Sequence, residues 1–443
     1  MRTETQADTY ISQIPKFAKE KASLDEVKVF LEQMGNPQRQ TQVIHIAGTN
    51  GKGSVSAFLT QILTDLGYVT ARFTSPHLVK ISERFFLGGE REGKTFVMTE
   101  ELYVSAFEAV LELTDRMQRQ GYRHPTFFEF LFYMQMELVK RVQPDFLVLE
   151  TGMGGRRDVT NAIEQPVLTI LTSIGMDHMQ YLGNSLEAIA GEKAGILKKG
   201  VPLVFAAHPK QVNTVIRARA ESLGCPFFAV KESDWQVERL CCESDSLSLR
   251  LFGNFCQLST VAMYQAENAA LAFQAARQLF QGRREFGSLD TRILSSLERT
   301  RWEGRMEQVL PHVYLDGAHN EDGILALTRT LHRMYEETER RMVLLFAAAS
   351  DKEHEKMVKE LCQALPLAAV LVVRYDSERA LSTEELRREF SRYSDCLFES
   401  YFDLREAFLR GLSLRQDGIL VAAGSLYLVG ELKALIASKR VWG

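Results

Sequence analysis

Near the start of the chain, apolar residues fall at helical spacing (Leu24, Val27, Phe30 and Leu31) and predict an amphipathic opening helix. The period then changes. Thr41–Ala47 (TQVIHIA) reads as a buried strand, Gly48 to Gly53 breaks it, and Ser54–Leu66 resumes as a helix. Ser75–Gly93 reads as loop-rich, and helical patterns fill Thr99–Arg119 and Thr126–Arg141. Strands are predicted at Asp145–Leu149, Val167–Ser173 and Val201–Phe205, with a helix at Ser185–Lys193. Trp235–Leu258 is less regular and suits short antiparallel strands, and Gln265–Leu279 is an Ala-rich helix.

A second alternation follows. Strands read at His312–Leu315, Met342–Phe346, Ala368–Val373 and Ile419–Ala422. Helices read at Asp322–Tyr335, Lys352–Ala364, Thr383–Phe390, Leu404–Leu412 and Leu426–Ser438. Strands alternating with helices imply α/β architecture with largely parallel sheets covered on both faces. Two such series imply two domains, 1–298 and 299–443, meeting in the polar stretch Glu298-Arg299-Thr300-Arg301. Ligands of such sheets bind beyond the carboxyl ends of the strands.

Composition narrows the class. With 53 Lys and Arg against 57 Asp and Glu, the net charge is −4, which speaks against a nucleic-acid binder or a membrane-surface protein. No apolar run approaches the roughly 20 residues that span a bilayer. Six cysteines in 443 residues, none in a C-x-x-C pair, read as reduced thiols of a cytoplasmic protein.

The chemistry sits at strand ends. Gly48-Thr49-Asn50-Gly51-Lys52-Gly53-Ser54 follows the first strand, so glycine-freed N–H groups, a lysine and a helix N-terminus converge where a phosphate could rest. The loop departs from the strict phosphate-loop pattern: Ile46 replaces its first glycine and Gly53 its hydroxyl residue. Glu150 ends a buried strand and is suited to hold Mg²⁺, a hard cation that takes oxygen ligands. Arg156, Arg157 and Asp158 follow, either to neutralise an anion or as a loop salt bridge. His178 is a candidate metal ligand or a surface group, and Lys193 alone reads as an exposed helix lysine. Asp316-Gly317-Ala318-His319-Asn320 and Gly424-Ser425 end strands of the second series and could face the first across a cleft. By themselves they would be ordinary caps and turns. No dinucleotide fingerprint or hydrolase elbow is present.

Taken together, HIAGTNGKGS (45–54), TSPHL (74–78), TFFEF (126–130), LETGMGGRRDVTN (149–161), DHMQYLG (177–183), GEKAGILK (191–198), ENAALA (267–272), GRMEQ (304–308), LDGAHN (315–320) and GSLYLVGE (424–431) resemble, in order, the folylpolyglutamate synthases. Some members are also dihydrofolate synthases, and all belong to the Mur ligases. The resemblance implies a phosphate-loop ATPase domain joined to a smaller Rossmann-like domain. It implies ATP-dependent ligation of L-glutamate to a reduced folate, or to dihydropteroate, by a monomer. Gly48, Thr49, Asn50, Gly51, Lys52, Gly53 and Ser54 would cradle ATP phosphates, and Asn268, Arg305 and Asp316 would contact the nucleotide. Ser75, Glu150 and His178 would hold magnesium, of which two ions are expected, and Lys193 would bear a carbamate. A monovalent cation is a further expected cofactor. His319 and Ser425 would lie near glutamate. Thr126, Phe127, Phe128, Glu129, Arg156, Arg157 and Asp158 would mark the pteroyl region. Ala18 stands where the family pattern leads to glycine. A peptidoglycan Mur ligase and a nucleotide switch that performs no ligation remain alternatives.

Overall fold

The computed structural model describes residues 2–16, 23–177, 179–282, 288–350, 352–377 and 380–438. His178 and Ala18 lie outside the described residues.

The first series builds β1 (Gln42–Ala47), β2 (Thr70–Phe73), β3 (Phe85–Gly88), a short β4–β5 hairpin (Glu90–Arg91 and Lys94–Thr95), β6 (Phe146–Glu150), β7 (Leu168–Leu171), β8 (Leu203–Ala206) and β9 (Phe227–Val230). All but the hairpin form a seven-stranded sheet ordered β3-β2-β6-β1-β7-β8-β9. Only the β2–β3 pairing is antiparallel. From β1 the chain turns to one side of the sheet, and from β6 it crosses to the other. The carboxyl end of β1 is therefore the switch point at which a crevice opens.

β1 is buried on both faces because its residues feed two cores. Ile44 and Ile46 pack with Val55, Leu59 and Ala269, under the helices Lys52–Asp65 and Gln265–Phe280. Val43 packs with Leu147, Leu149 and Phe130 on the opposite side. This two-sided burial explains why apolar residues stand at adjacent rather than alternating positions in the strand, with His45 the polar exception that bonds Thr160.

β10 (Trp235–Cys241), β11 (Ser246–Leu251) and β12 (Asn254–Leu258) form an antiparallel meander, as the irregular pattern there predicts. The second series forms a six-stranded sheet from β13 (Glu307–Leu310), β14 (Val313–Leu315), β15 (Met342–Phe346), β16 (Leu367–Val373), β17 (Leu397–Tyr401) and β18 (Ile419–Ala423), ordered β13-β14-β18-β15-β16-β17.

Several elements depart from the sequence pattern. The loop-rich stretch 75–93 contains β3, and β2, β9, β13, β17 and the helices Lys210–Ser222 and Leu289–Arg299 were not predicted. Most of these strands are short or lie at sheet edges. In β9, β13 and β17 burial is partial and the apolar signal fades, with Leu397 in β17 43% exposed, while β2 and β3 are mostly buried but only four residues long. The polar stretch Glu298–Arg301 is no slack connection. Glu298 and Arg299 close the helix Leu289–Arg299, Arg299 binds Asp65 at 2.7 Å, and Gln257 N donates to Glu298 at 3.1 Å.

Because Ile44 lies at 0% exposure in the central strand, Ile44→Ala should cost about 2–5 kcal/mol. A lowered denaturant midpoint with the far-UV spectrum retained is the expected result.

Candidate active site

A cleft of about 1380 Å³ lies at the carboxyl ends of β1, β2 and β6 and is walled on its far side by loops of the second sheet. Its floor is the loop after β1. Gly51 takes a left-handed φ of 85° and starts the helix Lys52–Asp65. At Gly48 an added Cβ would collide with the Thr172 hydroxyl, so only glycine lets β7 approach.

Two lysines converge on this loop. Lys52 Nζ donates to the carbonyls of Gly48 at 3.1 Å and Thr49 at 3.0 Å. Lys193 Nζ donates to the same Gly48 carbonyl at 2.7 Å. Lys193 is only 4% exposed, so its reading as an exposed lysine is corrected: it ends the helix Leu186–Lys193 and points inward. Burial pushes its pKa down to about 7, and the charge of Lys52 pushes in the same direction.

Glu150 ends β6 at 2% exposure, 3.9 Å from Lys52. The Ser75 amide donates to its Oε2 at 3.4 Å. Burial lifts the carboxyl to about 7, against the pull of Lys52, the Ser75 amide, Arg305 and Arg84. Arg84 is itself buried and lies over the Phe127 ring, 5.3 Å from its centroid.

The second sheet contributes the opposite wall. Asp316, at the end of β14, accepts from the Tyr264 hydroxyl, from Met306 N at 2.9 Å and from Ala318 N at 2.8 Å. Its carboxylate therefore ties three chain segments together. His319 Nδ1 donates to the Gly317 carbonyl at 2.8 Å. Burial, then Lys352, push its pKa down to about 4, so the ring is neutral and offers Nε2 as an acceptor. Contacts cross the cleft directly. Asn50 and Asn320 exchange side-chain hydrogen bonds at 3.1 Å, and Asp177 accepts from Asn320 at 3.0 Å and from Lys352 at 2.5 Å.

Two family models match the chain: the Mur ligase middle domain over residues 46–276, and the Mur ligase glutamate ligase domain over 304–426. A Bacillus subtilis dihydrofolate synthase/folylpolyglutamate synthase is 31% identical over 438 residues, covering 93% of this chain and 94% of the relative. A Lacticaseibacillus casei folylpolyglutamate synthase is 28% identical, covering 97% of both chains. Among solved structures, the Mycobacterium tuberculosis folylpolyglutamate synthase complexed with ADP and AMPPCP superposes with a TM-score of 0.83 at 27% identity, covering 97% of each chain. The chain belongs to the folylpolyglutamate synthase family of Mur ligases.

In this Mur ligase the loop residues Gly48 to Ser54 line the cleft together with Ser75, Glu150, Lys193, Asn268, Arg305, Asp316, His319 and Ser425. Asn268 is buried and donates to Gln265 at 3.0 Å, and Gln265 donates to Ser54 at 3.2 Å. Ser425 is the N-cap of the helix Leu426–Ala437. Thr126, Phe127, Phe128 and Glu129 line the cleft as the first turn of the helix Phe127–Val142. Glu129 is committed to the capping box, accepting from Thr126 N at 2.7 Å, and it is paired with Arg123 at 2.7 Å.

Asp158 also faces the cleft, but its oxygens are taken by Met153 N at 2.9 Å and by the amide and hydroxyl of Thr160 at 3.0 and 2.6 Å. The same hydroxyl contacts His45 Nε2 at 2.8 Å, which links β1 to this loop. Arg156 is not brought to the cleft: its guanidinium donates to the Gly191 carbonyl at 3.2 Å and lies 3.6 Å from Glu192. Arg157 lines the cleft in its place. Sequence reasoning named Arg157 but missed Asp177, Tyr264, Arg84 and Lys352. Lys352 stands in an ordinary charged run, and only the fold brings it to Asp177.

Burial raises Glu150 above its ordinary value, so its ionised form is disfavoured in the fold. That stabilising preference for the protonated acid is complete below about 4.5 and is lost as pH rises through about 7. Without ligands, Glu150→Gln should therefore melt higher than the wild type at pH 8, and the gap should close by about pH 5. A pH-independent gap in calorimetry would contradict this origin.

Proposed function

We propose that this chain ligates L-glutamate to the γ-carboxylate of a reduced folate at the expense of ATP, with dihydropteroate as a second acceptor. The observation that carries the reading is the meeting, in one cleft, of the phosphate loop with the Asp316–Asn320 and Ser425 loops of the other sheet. Another related structure is a folylpolyglutamate synthase with AMPPCP and folate, with a TM-score of 0.81. In this reading residues 1–298 form the ATP-binding domain and 299–443 the glutamate-ligase domain. One chain supplies both walls, which suits a monomer.

A carboxylate does not react with an amine at neutral pH, because oxide is a poor leaving group. Its oxygen first attacks the γ-phosphorus of ATP, the bond to ADP breaks, and an acyl phosphate forms. The glutamate amine then attacks the acyl carbon, phosphate departs and the nitrogen loses a proton. Backbone N–H groups of Gly48 to Ser54 and the Lys52 ammonium stabilise the phosphoryl charge. Asn268 and Arg305 hold the nucleotide, and Asp316 fixes Tyr264 at the start of the Asn268 helix and Met306 beside Arg305. Neutral His319 accepts a hydrogen bond from the incoming amine, beside Ser425. Phe127 and Phe128 offer flat apolar faces to the pteroyl ring at the Thr126 helix start, with Asp158 shaping the loop opposite.

Magnesium fits the residues present. Among the described residues Glu150 Oε1 accepts no hydrogen bond, and the Ser75 backbone touches the same carboxylate. No three metal-ligating acids, histidines or cysteines converge among the described residues. Mg²⁺ needs no such cluster, because it keeps waters and phosphate oxygens as ligands. Glu150 and Ser75 would hold it, with His178 as the third expected ligand, and the ion supplies charge neutralisation at the phosphates. A carbamate on Lys193 would serve a second ion. Its amine is buried and lowered to about 7, so a neutral fraction is available to combine with carbon dioxide. No described residues are assigned to the expected monovalent cation.

The direct test is ADP release that requires both glutamate and a folate, repeated with dihydropteroate. ADP release without either substrate would favour the nucleotide switch. Lys52→Ala should lower turnover by at least about a hundredfold while the protein stays folded, since a preorganised charge at the transferred group is worth several kcal/mol. Lys193→Ala and Lys193→Arg should both be crippled, because neither side chain forms a carbamate. A fully active Lys193→Arg variant, together with intact mass showing no added carbon dioxide, would remove the carbamate from the reading.

A further inference from the structure

Arg72 has no part in the chemistry above. It lies in β2 between Ala71 and Phe73, which join the core on one face of the sheet. Strand alternation sends Arg72 to the other face, toward the helix Lys52–Asp65. There its guanidinium lies against two rings. Its carbon lies 4.9 Å from the centroid of Phe86, its cross-strand partner on β3, and 4.7 Å from that of Trp302. Trp302 arrives from the segment between the two sheets, where an added Cβ at Gly53 would stand 3.0 Å from its ring. The three side chains line a lobe of the cleft with Ala57 and Gln61.

The cation is stacked but has no acceptor. Its Nε is buried without a hydrogen-bond partner, and among the described residues no hydrogen bond or ion pair to its terminal nitrogens occurs. Burial lowers its pKa to about 10, which still leaves it charged. With Nε buried, a guanidinium packed against two aromatic rings keeps its terminal nitrogens for a partner, and such a pair of N–H groups matches a carboxylate. The two ring contacts restrict the side chain in advance, so less ordering is left for binding.

We propose that this lobe is a carboxylate subsite in which Arg72 takes the α-carboxylate of a glutamyl unit. The assignment rests on the ligase reading, because it is that reaction that brings glutamyl carboxylates into the cleft. Phosphate is the weaker choice, since the Gly48–Ser54 loop already receives it. The glutamyl unit has two sources: free glutamate, or the glutamyl tail of the acceptor.

The test is steady-state kinetics of the full chain as wild type, Arg72→Met and Arg72→Lys. KM is measured for glutamate, for reduced folates bearing one and three glutamyl residues, and for dihydropteroate, which has none. Loss of a charge-assisted pair should raise one carboxylate KM by about tenfold or more in Arg72→Met. Arg72→Lys should recover part of it, and KM for ATP should hold. A rise confined to glutamate assigns the subsite to the incoming amino acid. A rise that grows with glutamyl number and spares dihydropteroate assigns it to the tail. If both carboxylate KM values stay put in either folded variant, the subsite is refuted, as it is by a loss spread equally over ATP and all acceptors. Should the wild type ligate nothing, the ligase reading fails, and calorimetry with tri-γ-glutamate decides the subsite separately. Binding to wild type but not to Arg72→Met supports it; equal binding, or none, overturns it.

Discussion

Everything in the cleft depends on one backbone carbonyl, that of Gly48, receiving two lysine ammonium groups. Lys52 reaches it from the helix that follows the loop, and Lys193 reaches it from a helix 145 residues distant in sequence. Two like charges so close in a dry site are unfavourable on their own. The arrangement persists because the loop lies among oxygens: the Gly48 and Thr49 carbonyls beneath it and Glu150 to one side. The cost appears in the amine of Lys193, which burial and then Lys52 push down, while burial raises the carboxyl of Glu150 against the pull of Lys52. An incoming phosphate chain would favour the charged form of the lysine, whereas Glu150 needs a cation beside it to regain its charge.

The parts of this site that were legible in the sequence share a physical origin. The loop after β1 could be read because glycines, a lysine and the change from strand to helix period are local and contiguous. Glu150 could be read because it ends a fully buried strand. Lys193 could be connected only through the family resemblance, since nothing in its own neighbourhood distinguishes an inward lysine at the end of a short helix from a solvated one. Arg156 and Arg157 are neighbours of one type, and the choice between them is made by a carbonyl 35 residues away, at Gly191. The edge strand β17 was lost because a half-exposed strand has no continuous apolar signature, and β3 because its buried run Phe85–Gly88 is only four residues long.

The cluster around Asp316 shows a further limit. The family resemblance implies a nucleotide contact for its carboxylate, and in the fold Tyr264 and two backbone amides donate to it. Those donors come from three segments, so the residue orders the wall on which Arg305 and His319 are presented. Similarly, the chain from His45 through Thr160 to Asp158 connects the phosphate-loop strand to the loop facing Phe128. Buried polar links of this kind leave no periodic trace, but they set where the two substrates lie relative to each other.

The two sheets meet beside the cleft as well as across it. Polar contacts cross at the Asn50–Asn320 exchange and the Asp177–Lys352 pair, and Met263 and Tyr264 of the first series donate to Thr330 and Asp316 of the second. Next to them one apolar cluster runs from Leu247, Leu249 and Ala266 to Ile324, Leu327 and Leu331. The halves are further tethered by the short segment from Thr300 to Gly304, whose upstream end is pinned when Arg299 binds Asp65. A tether of that length turns docking into an intramolecular event at an effective concentration on the order of millimolar. Moving one wall against the other would therefore expose apolar surface as well as break polar contacts, which holds the two sets of loops in register.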